Sequence, residues 1–485
     1  MNPSIDFHAF APELVLAATI VVVLLVDLVS DRGKWLASRL ATIGVLAAVV
    51  PIVTLAVDGA DRSMFGGAYV VDNYALALKA FFLLVTYLTL LLSLDYIAEG
   101  DYYEGEYYFL LLISVLGMLV MTSARDLISI FIALETISLP TFVLVGWRKH
   151  DTRSNEAAIK YYLFGVLSSA VMLFGMSYVF GLSGSTLLTD IAQYASTDGV
   201  PALFAVGIFF TLAGFAFKVS AVPFHFWAPD TYEGSPTPVT AFLSVASKAG
   251  GFVALLSVVY FGFFPSGESW QPVLWVLAAA SMTLGNLAAL RQTNIIRLLA
   301  YSSIAQGGFI LVPLAVAGDG TAAQSAFEAV VIYLLIYGAM NLGAFAVVIA
   351  AARRTRSAEI SSFAGLGRTA PVLAVTMTMF LFSLTGIPPF AGWFAKFVMF
   401  RAVLDAGTPA AVVLGVIAAV NSVIAFFYYV GVARQMWYRE PASDAGPTVV
   451  PAALGAAIAI TTAVVVVIGV YPQPFARIGE AAFGG

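Results

Sequence analysis

The chain has no cysteine. It therefore holds no disulfide, no cysteine-ligated iron–sulfur cluster and no thiolate metal site. Histidine is nearly missing as well. There are three in 485 residues, and only His225 lies deep in the chain, which leaves too little for a haem or zinc site. No redox centre is expected within this chain. Charge is scarce, with 11% of residues charged against about 25% in a soluble domain. What fills the space is apolar: 61% of residues are hydrophobic and the mean hydropathy is +0.94, a composition that belongs in a bilayer. The net charge of −5 decides little, because membrane proteins are read by where charges sit. The first apolar run, Ala11 to Val29, follows Asp6 and Glu13 rather than basic residues. It reads as a retained span and not as a cleavable leader.

Lysine is the most informative scarcity. Of seven lysines, five (Lys79, Lys160, Lys218, Lys248 and Lys396) lie inside runs that are otherwise apolar, while all sixteen arginines lie at the ends of such runs or between them. Arginine keeps its proton at any biological pH, whereas a buried lysine can lose it. A chain that sorts its cations in this way is expected to handle protons.

A membrane span takes roughly 20 apolar residues. Fourteen such stretches are present: 11–29, 35–57, 73–97, 106–124, 126–147, 155–182, 201–232, 236–262, 271–290, 294–317, 323–352, 371–403, 408–433 and 449–470. The expected architecture is an all-α polytopic membrane protein of about fourteen transmembrane helices. Charge bias supports the count. With the N-terminus outside, fourteen basic residues fall at cytoplasmic turns, from Arg32, Lys34 and Arg39 to Arg434 and Arg439, whereas Arg62, Arg125, Arg401 and Arg477 alone face the other side. Both termini are then expected outside.

Spans seven and twelve are too long for one crossing. About 33 residues of helix reach roughly 50 Å, against an apolar core of about 30 Å. Each carries helix breakers near its middle, and each contains Pro-Phe-x-x-Trp, at 223–227 and 389–393, an offset of 166 residues. That offset spans five helices, and an odd number turns the second copy upside down. Spans 4–8 and 9–13 are thus expected to form an inverted repeat with helices 7 and 12 broken near the midplane. The corresponding regions are an N-terminal three-helix part (1–105), a first five-helix unit (106–262), a second, inverted unit (271–433) and a C-terminal helix (434–485).

Glu135, Lys218 and Lys248 lie about halfway along spans five, seven and eight, and Lys396 just past the break of span twelve. A charge at mid-membrane costs on the order of 2.5–3.5 kcal/mol on insertion scales, so three central lysines together cost about 7–10 kcal/mol, comparable to the stability of a whole domain. Burial disfavours an ammonium and brings lysine from about 10.4 toward cellular pH, while a nearby carboxylate favours the charged form. Movement of Glu135 relative to Lys218 would then switch the lysine between holding and releasing a proton. Structural readings stand beside these. Glu135 and Lys218 also suit a static ion pair, and His225 also suits a bond to a carbonyl freed by the break. Lys79 and Lys160 lie close enough to span ends to snorkel to the surface. Asp27, Asp95, Glu156 and Glu328 read as solvated span ends. Glu99, Asp101, Glu104 and Glu106 form either a proton-collecting rim or an ordinary acidic loop.

Leu134-Glu135-Thr136-Ile137-Ser138-Leu139-Pro140 resembles the glutamate helix of the antiporter-like subunits of respiratory complex I. The stretch from Phe217 to Lys248, with Val222-Pro223-Phe224-His225-Phe226-Trp227-Ala228-Pro229-Asp230 and Gly234-Ser235-Pro236-Thr237-Pro238-Val239, resembles their central signature. Asn294 to Ile304 matches the next one. The resemblance covers essentially the whole chain. Lys396, where another type has glutamate, and a chain that stops soon after span fourteen, where a third type continues into a long lateral helix, narrow the type within the family.

The resemblance implies that Glu135, Lys218, Lys248 and Lys396 form a charged axis, with His225 connecting the inner sites and Lys160 near the cytoplasmic side. It implies a proton-translocating membrane subunit of a bacterial NADH:quinone oxidoreductase in the plasma (inner) membrane. NADH, FMN, iron–sulfur clusters and quinone would belong to partner subunits, with no cofactor or metal in this chain. Neighbours of the M, K, J and A types, membrane lipids and protons are the expected partners, and nucleic acid is not. The alternatives are a subunit of a cation/proton antiporter of the related Mrp type and a purely structural scaffold for the membrane arm.

Overall fold

In hydrocarbon every backbone amide must be bonded within the protein, so an apolar run has the α-helix as its local solution. The computed structural model describes residues 5–29, 33–59, 61–100, 104–197, 199–318, 320–441 and 449–483, and helix occupies each of the fourteen sequence ranges. Arg32 and Asp101 lie outside the described residues. Among the described residues eleven helices are long and apolar enough to cross a membrane; one of them, 237–289, runs through spans eight and nine. Two shorter apolar helices, Ala202–Lys218 and Pro371–Thr385, are the first halves of spans seven and twelve.

Polar residues at the turns set where helices begin. Asp72, Asp126, Asp151, Asn294 and Thr408 each accept a hydrogen bond from an amide in the first turn of the following helix, satisfying donors that helical geometry leaves open. Both overlong spans are broken. Span seven consists of Ala202–Lys218 and Trp227–Gly234, and span twelve of Pro371–Thr385 and Gly392–Ala406. Just past the first halves stand residues in the left-handed region, Ser220 at φ +58° and Gly386 at φ +97°, again 166 positions apart. Glycine takes that conformation freely, whereas for serine it stores strain of order 1–3 kcal/mol, a cost that concentrates at functional positions. The peptide bonds before Pro223 and Pro389 are cis.

The structure adds features without a sequence expectation. A small antiparallel hairpin, β1 (Arg62–Met64) with β2 (Tyr69–Val71), connects spans two and three. Short helices occupy Leu188–Thr197 and Gln473–Phe483. Span eight is not a regular α-helix, because Leu243–Ser247 forms a π turn that ends immediately before Lys248. Such turns recur at functional sites.

Spans eight, ten and eleven are almost wholly buried, whereas spans one, six and thirteen turn much of their surface outward. That outward surface is apolar, as in Leu25, Leu163, Leu167, Val416 and Phe427, which suits a lipid-facing rim. Lys218, Lys248 and Lys396 sit where the buried centre meets the two broken helices.

Candidate functional site

Lys218 closes the first half of span seven and is 6% exposed. Its Nζ donates to Ser138 Oγ at 2.8 Å, and Ser138 Oγ donates to the Leu134 carbonyl at 2.6 Å. Glu135 is one helical turn from Ser138 on span five, and its Oε1 accepts from Ser169 Oγ of span six at 2.6 Å. Residues three apart share a helix face, which places carboxylate and hydroxyl side by side. The two charges do not form a contact ion pair. They line one cavity of about 20 Å³ with Ser138, Ser168, Ser169 and Gly214, room for a single water. The lysine's stem lies against Gly251 of span eight, where an added Cβ would stand 2.8 Å from Lys218 Cγ.

Lys248 is 2% exposed, and its Nζ donates to both the carbonyl and the hydroxyl of Ser303, at 2.8 and 2.5 Å. The Ser303 hydroxyl also accepts from Tyr337 Oη at 3.0 Å. Lys396, 6% exposed, donates to Ser422 Oγ at 2.8 Å and holds its ammonium 4.4 Å from the centre of the Phe309 ring, a cation–π contact. All three lysines therefore meet hydroxyls in the protein interior. All three are buried, and among the described residues none forms an ion pair with a carboxylate.

Lys160 differs in kind. Its side chain is 38% exposed and pairs with Glu156 at 2.7 Å and Asp230 at 2.8 Å. Asp230 also binds Arg297 at 2.8 Å, and Arg297 binds Glu233 at 3.0 Å. With Arg153 these groups surround an open cavity of about 180 Å³ at the turn after span seven. Three cations and three carboxylates balance there. Asp230, quoted within the central signature, had no assigned role in the sequence. Its signal was its place directly after the second proline of a broken helix.

His225 lies on the segment linking the two halves of span seven, half-buried, with Nδ1 buried and without a hydrogen-bond partner. No side-chain hydrogen bond joins it to Lys218 or Lys248. The Phe217 carbonyl, beside the break, accepts from the Ser220 amide at 3.0 Å and from Trp227 Nε1 at 3.1 Å.

Lys79 does not snorkel. It is fully buried and pairs with Glu13 at 2.8 Å, itself 1% exposed. Tyr69 bridges them, accepting from Lys79 Nζ at 2.9 Å and donating to Glu13 Oε1 at 2.8 Å. A second buried pair, Asp72 with Arg125 at 2.8 Å, belongs to the same region. A hidden carboxylate in span one was available to this lysine, and pairing beat the reach to the surface. Glu328 is likewise buried rather than solvated, and its Oε1 accepts from Gln324. In the acidic loop, Glu99 pairs with Arg353.

The family model described as NADH:quinone oxidoreductase/Mrp antiporter, TM, matches residues 124–422. The chain is 39% identical over 482 residues to an NADH-quinone oxidoreductase subunit N from Dehalococcoides mccartyi, covering 98% of each protein. Among solved structures, a chain of respiratory complex I from Thermus thermophilus is 30% identical with a TM-score of 0.81, covering 97% of this chain and 99% of that one. A chain of an Mrp complex from Dietzia superposes with a TM-score of 0.83 at 21% identity, over 99% and 97%, a likeness of fold alone.

Proposed function

The chain belongs to the NADH:quinone oxidoreductase/Mrp antiporter transmembrane family, and from that premise we propose that Glu135, Lys218, Lys248 and Lys396 carry protons across the membrane. The chain is a multi-pass membrane subunit of an NADH–quinone oxidoreductase, and other membrane subunits of that complex are its partners. The Mrp-type alternative is not favoured, because the near-full-length relative at 39% identity is a subunit of the oxidoreductase.

The observation that carries the proposal is the placement of three interior lysines on serine hydroxyls with no carboxylate in contact. An ammonium has three protons to donate and an amine one lone pair to accept, so a lysine bonded to a hydroxyl serves in either state. Protons enter at the Lys160–Asp230–Arg297 cluster, whose open cavity reaches water. They load Lys218, whose hold depends on the position of Glu135 across the shared cavity. They then pass to Lys248 and leave by way of Lys396. His225, with its unpaired Nδ1, connects the inner sites when water enters the break.

The path runs from the cytoplasm to the outside of a bacterial plasma membrane, through fourteen crossings with both termini outside. The two five-helix units, 106–262 and 271–433, are inverted copies. Supporting this are the left-handed breaks at Ser220 and Gly386 and the Pro-Phe-x-x-Trp pair. NADH, FMN, iron–sulfur clusters and quinone are held by partner subunits, and their chemistry drives this chain through conformational or electrostatic change along the membrane arm.

The test is quinone-dependent proton pumping in membrane vesicles carrying Lys218→Ala or Lys248→Ala. Assembly with pumping lost is the expected result, and Glu135→Gln should impair it as well. Normal pumping with normal assembly would return the chain to the role of a scaffold.

A further inference from the structure

Among the described residues neither Lys248 nor Lys396 bonds a carboxylate or a histidine, and one face of span ten touches both lysines. Ser303, Gln306 and Phe309 follow at three-residue intervals on the helix Ile295–Ala315, forming a stripe about 9 Å long. Lys248 bonds the Ser303 end, and Lys396 lies over Phe309 at the other. Gln306 stands midway, fully buried.

Both ends of its amide are tied. Tyr333 Oη donates to Oε1 at 2.9 Å, and Nε2 donates to the Leu384 carbonyl at 2.9 Å. The second bond has a cause in the sequence. In a continuous helix the Leu384 carbonyl would accept from the amide of residue 388, but that residue is Pro388, which has no N–H. The break of span twelve thus leaves an open acceptor in the interior, and the side chain of Gln306 fills it. A carboxamide is a poor proton carrier. Its nitrogen has no basic lone pair, and passing a proton through the group requires its imidic acid form. With the amide tied at both ends, the straight line between the two lysines is closed.

We infer that Gln306 is a latch that separates the Lys248 and Lys396 compartments, and that its release from the Leu384 carbonyl when the broken helix moves admits the water needed for transfer. In the open state the Lys248 ammonium gives one proton to that water, each water that gains a proton passes one on, and the Lys396 amine takes the last, so the net change is one N–H bond broken at Lys248 and one formed at Lys396. Gln306 positions this transfer and takes no proton itself. The inference rests on the proton path proposed above.

The test uses the assembled complex in proteoliposomes, with no NADH present and a pH difference imposed. Gln306→Met keeps the volume and loses both hydrogen bonds. Proton leak should rise on the order of tenfold, the scale set by losing the one bond that holds the latch to the Leu384 carbonyl, and should return to the wild-type level when Lys248→Met is added. Tyr333→Phe loosens the same amide from its other end and should leak by a smaller factor, which keeps the inference testable where Gln306→Met fails to assemble. Leak at the wild-type level in both variants overturns the latch, and so does a leak that persists without Lys248. Separately, Lys248→Met alone with normal NADH-driven pumping would overturn the path, whatever the leak values are.

Discussion

Gly251 offers a sharp test of whether the position of Lys218, and not its mere presence, matters. An alanine Cβ at 251 would lie 2.8 Å from Lys218 Cγ and 3.2 Å from its Cβ. Carbon atoms settle at about 3.5–4.0 Å, so the lysine stem must retreat by about 0.7 Å or more. Its Nζ is bonded to Ser138 at 2.8 Å, and a retreat of that size away from Ser138 stretches the bond to about 3.5 Å or more, the limit at which it ceases to be one. A hydrogen bond to a charged group contributes about 1.5–3 kcal/mol, corresponding to roughly a 10- to 100-fold slower step. Gly251→Ala should therefore assemble into the complex and reduce NADH-driven proton pumping by about 10-fold or more. Gly250→Ala is the matched control, since its Cβ would meet the flexible Cδ1 of Ile137 at 3.0 Å and no part of Lys218. The readout is the rate of acidification in inverted vesicles, normalised to the amount of assembled subunit. Pumping within about twofold of wild type in Gly251→Ala, with Gly250→Ala unaffected, would show that the lysine tolerates displacement and that its exact position is immaterial.

Two other sites separate structure from transport. Lys79→Met strands the buried Glu13 and should lower the stability of the assembled subunit by about 3–5 kcal/mol, whereas Lys79→Met combined with Glu13→Leu should recover much of it, because breaking a buried pair costs more than replacing it. Thermal release of the subunit from the complex measures both, and a single variant as stable as wild type would sink the idea of a buried clamp. Asp230→Asn removes a partner of Lys160 and of Arg297, but at a site about one-third exposed. Its stability effect should stay near 1 kcal/mol while pumping falls. Unchanged pumping would remove the cluster from the proton path.

Much of the fold was legible because its signals are local. A run of twenty apolar residues specifies a helix without reference to any neighbour. Asp72, Asp126, Asp151 and Asn294 cap the following helices in the structure by equally local chemistry, although apolar run length alone set the expected limits. The breaks in spans seven and twelve followed from length and proline placement. The π turn before Lys248 was not legible, because nothing in Leu243–Ser247 differs in composition from a regular helical stretch. Nor was the burial of Lys79. Distance from a span end suggested a surface reach, whereas Glu13, 66 positions earlier in sequence, offered a partner inside. The same limit hid Gln306, an uncharged residue whose meaning comes from a carbonyl 78 positions away.

The amino-acid sequence alone determined that this is a polytopic membrane protein with lysines in its interior, because both properties follow from the cost of moving single residues out of water. Tertiary structure decided what each lysine faces. Lys218 meets Ser138, Lys248 meets Ser303 and Lys396 meets Ser422, hydroxyls on other helices. Those pairings depend on how helices rotate and pack against one another, which no periodicity along a single helix encodes.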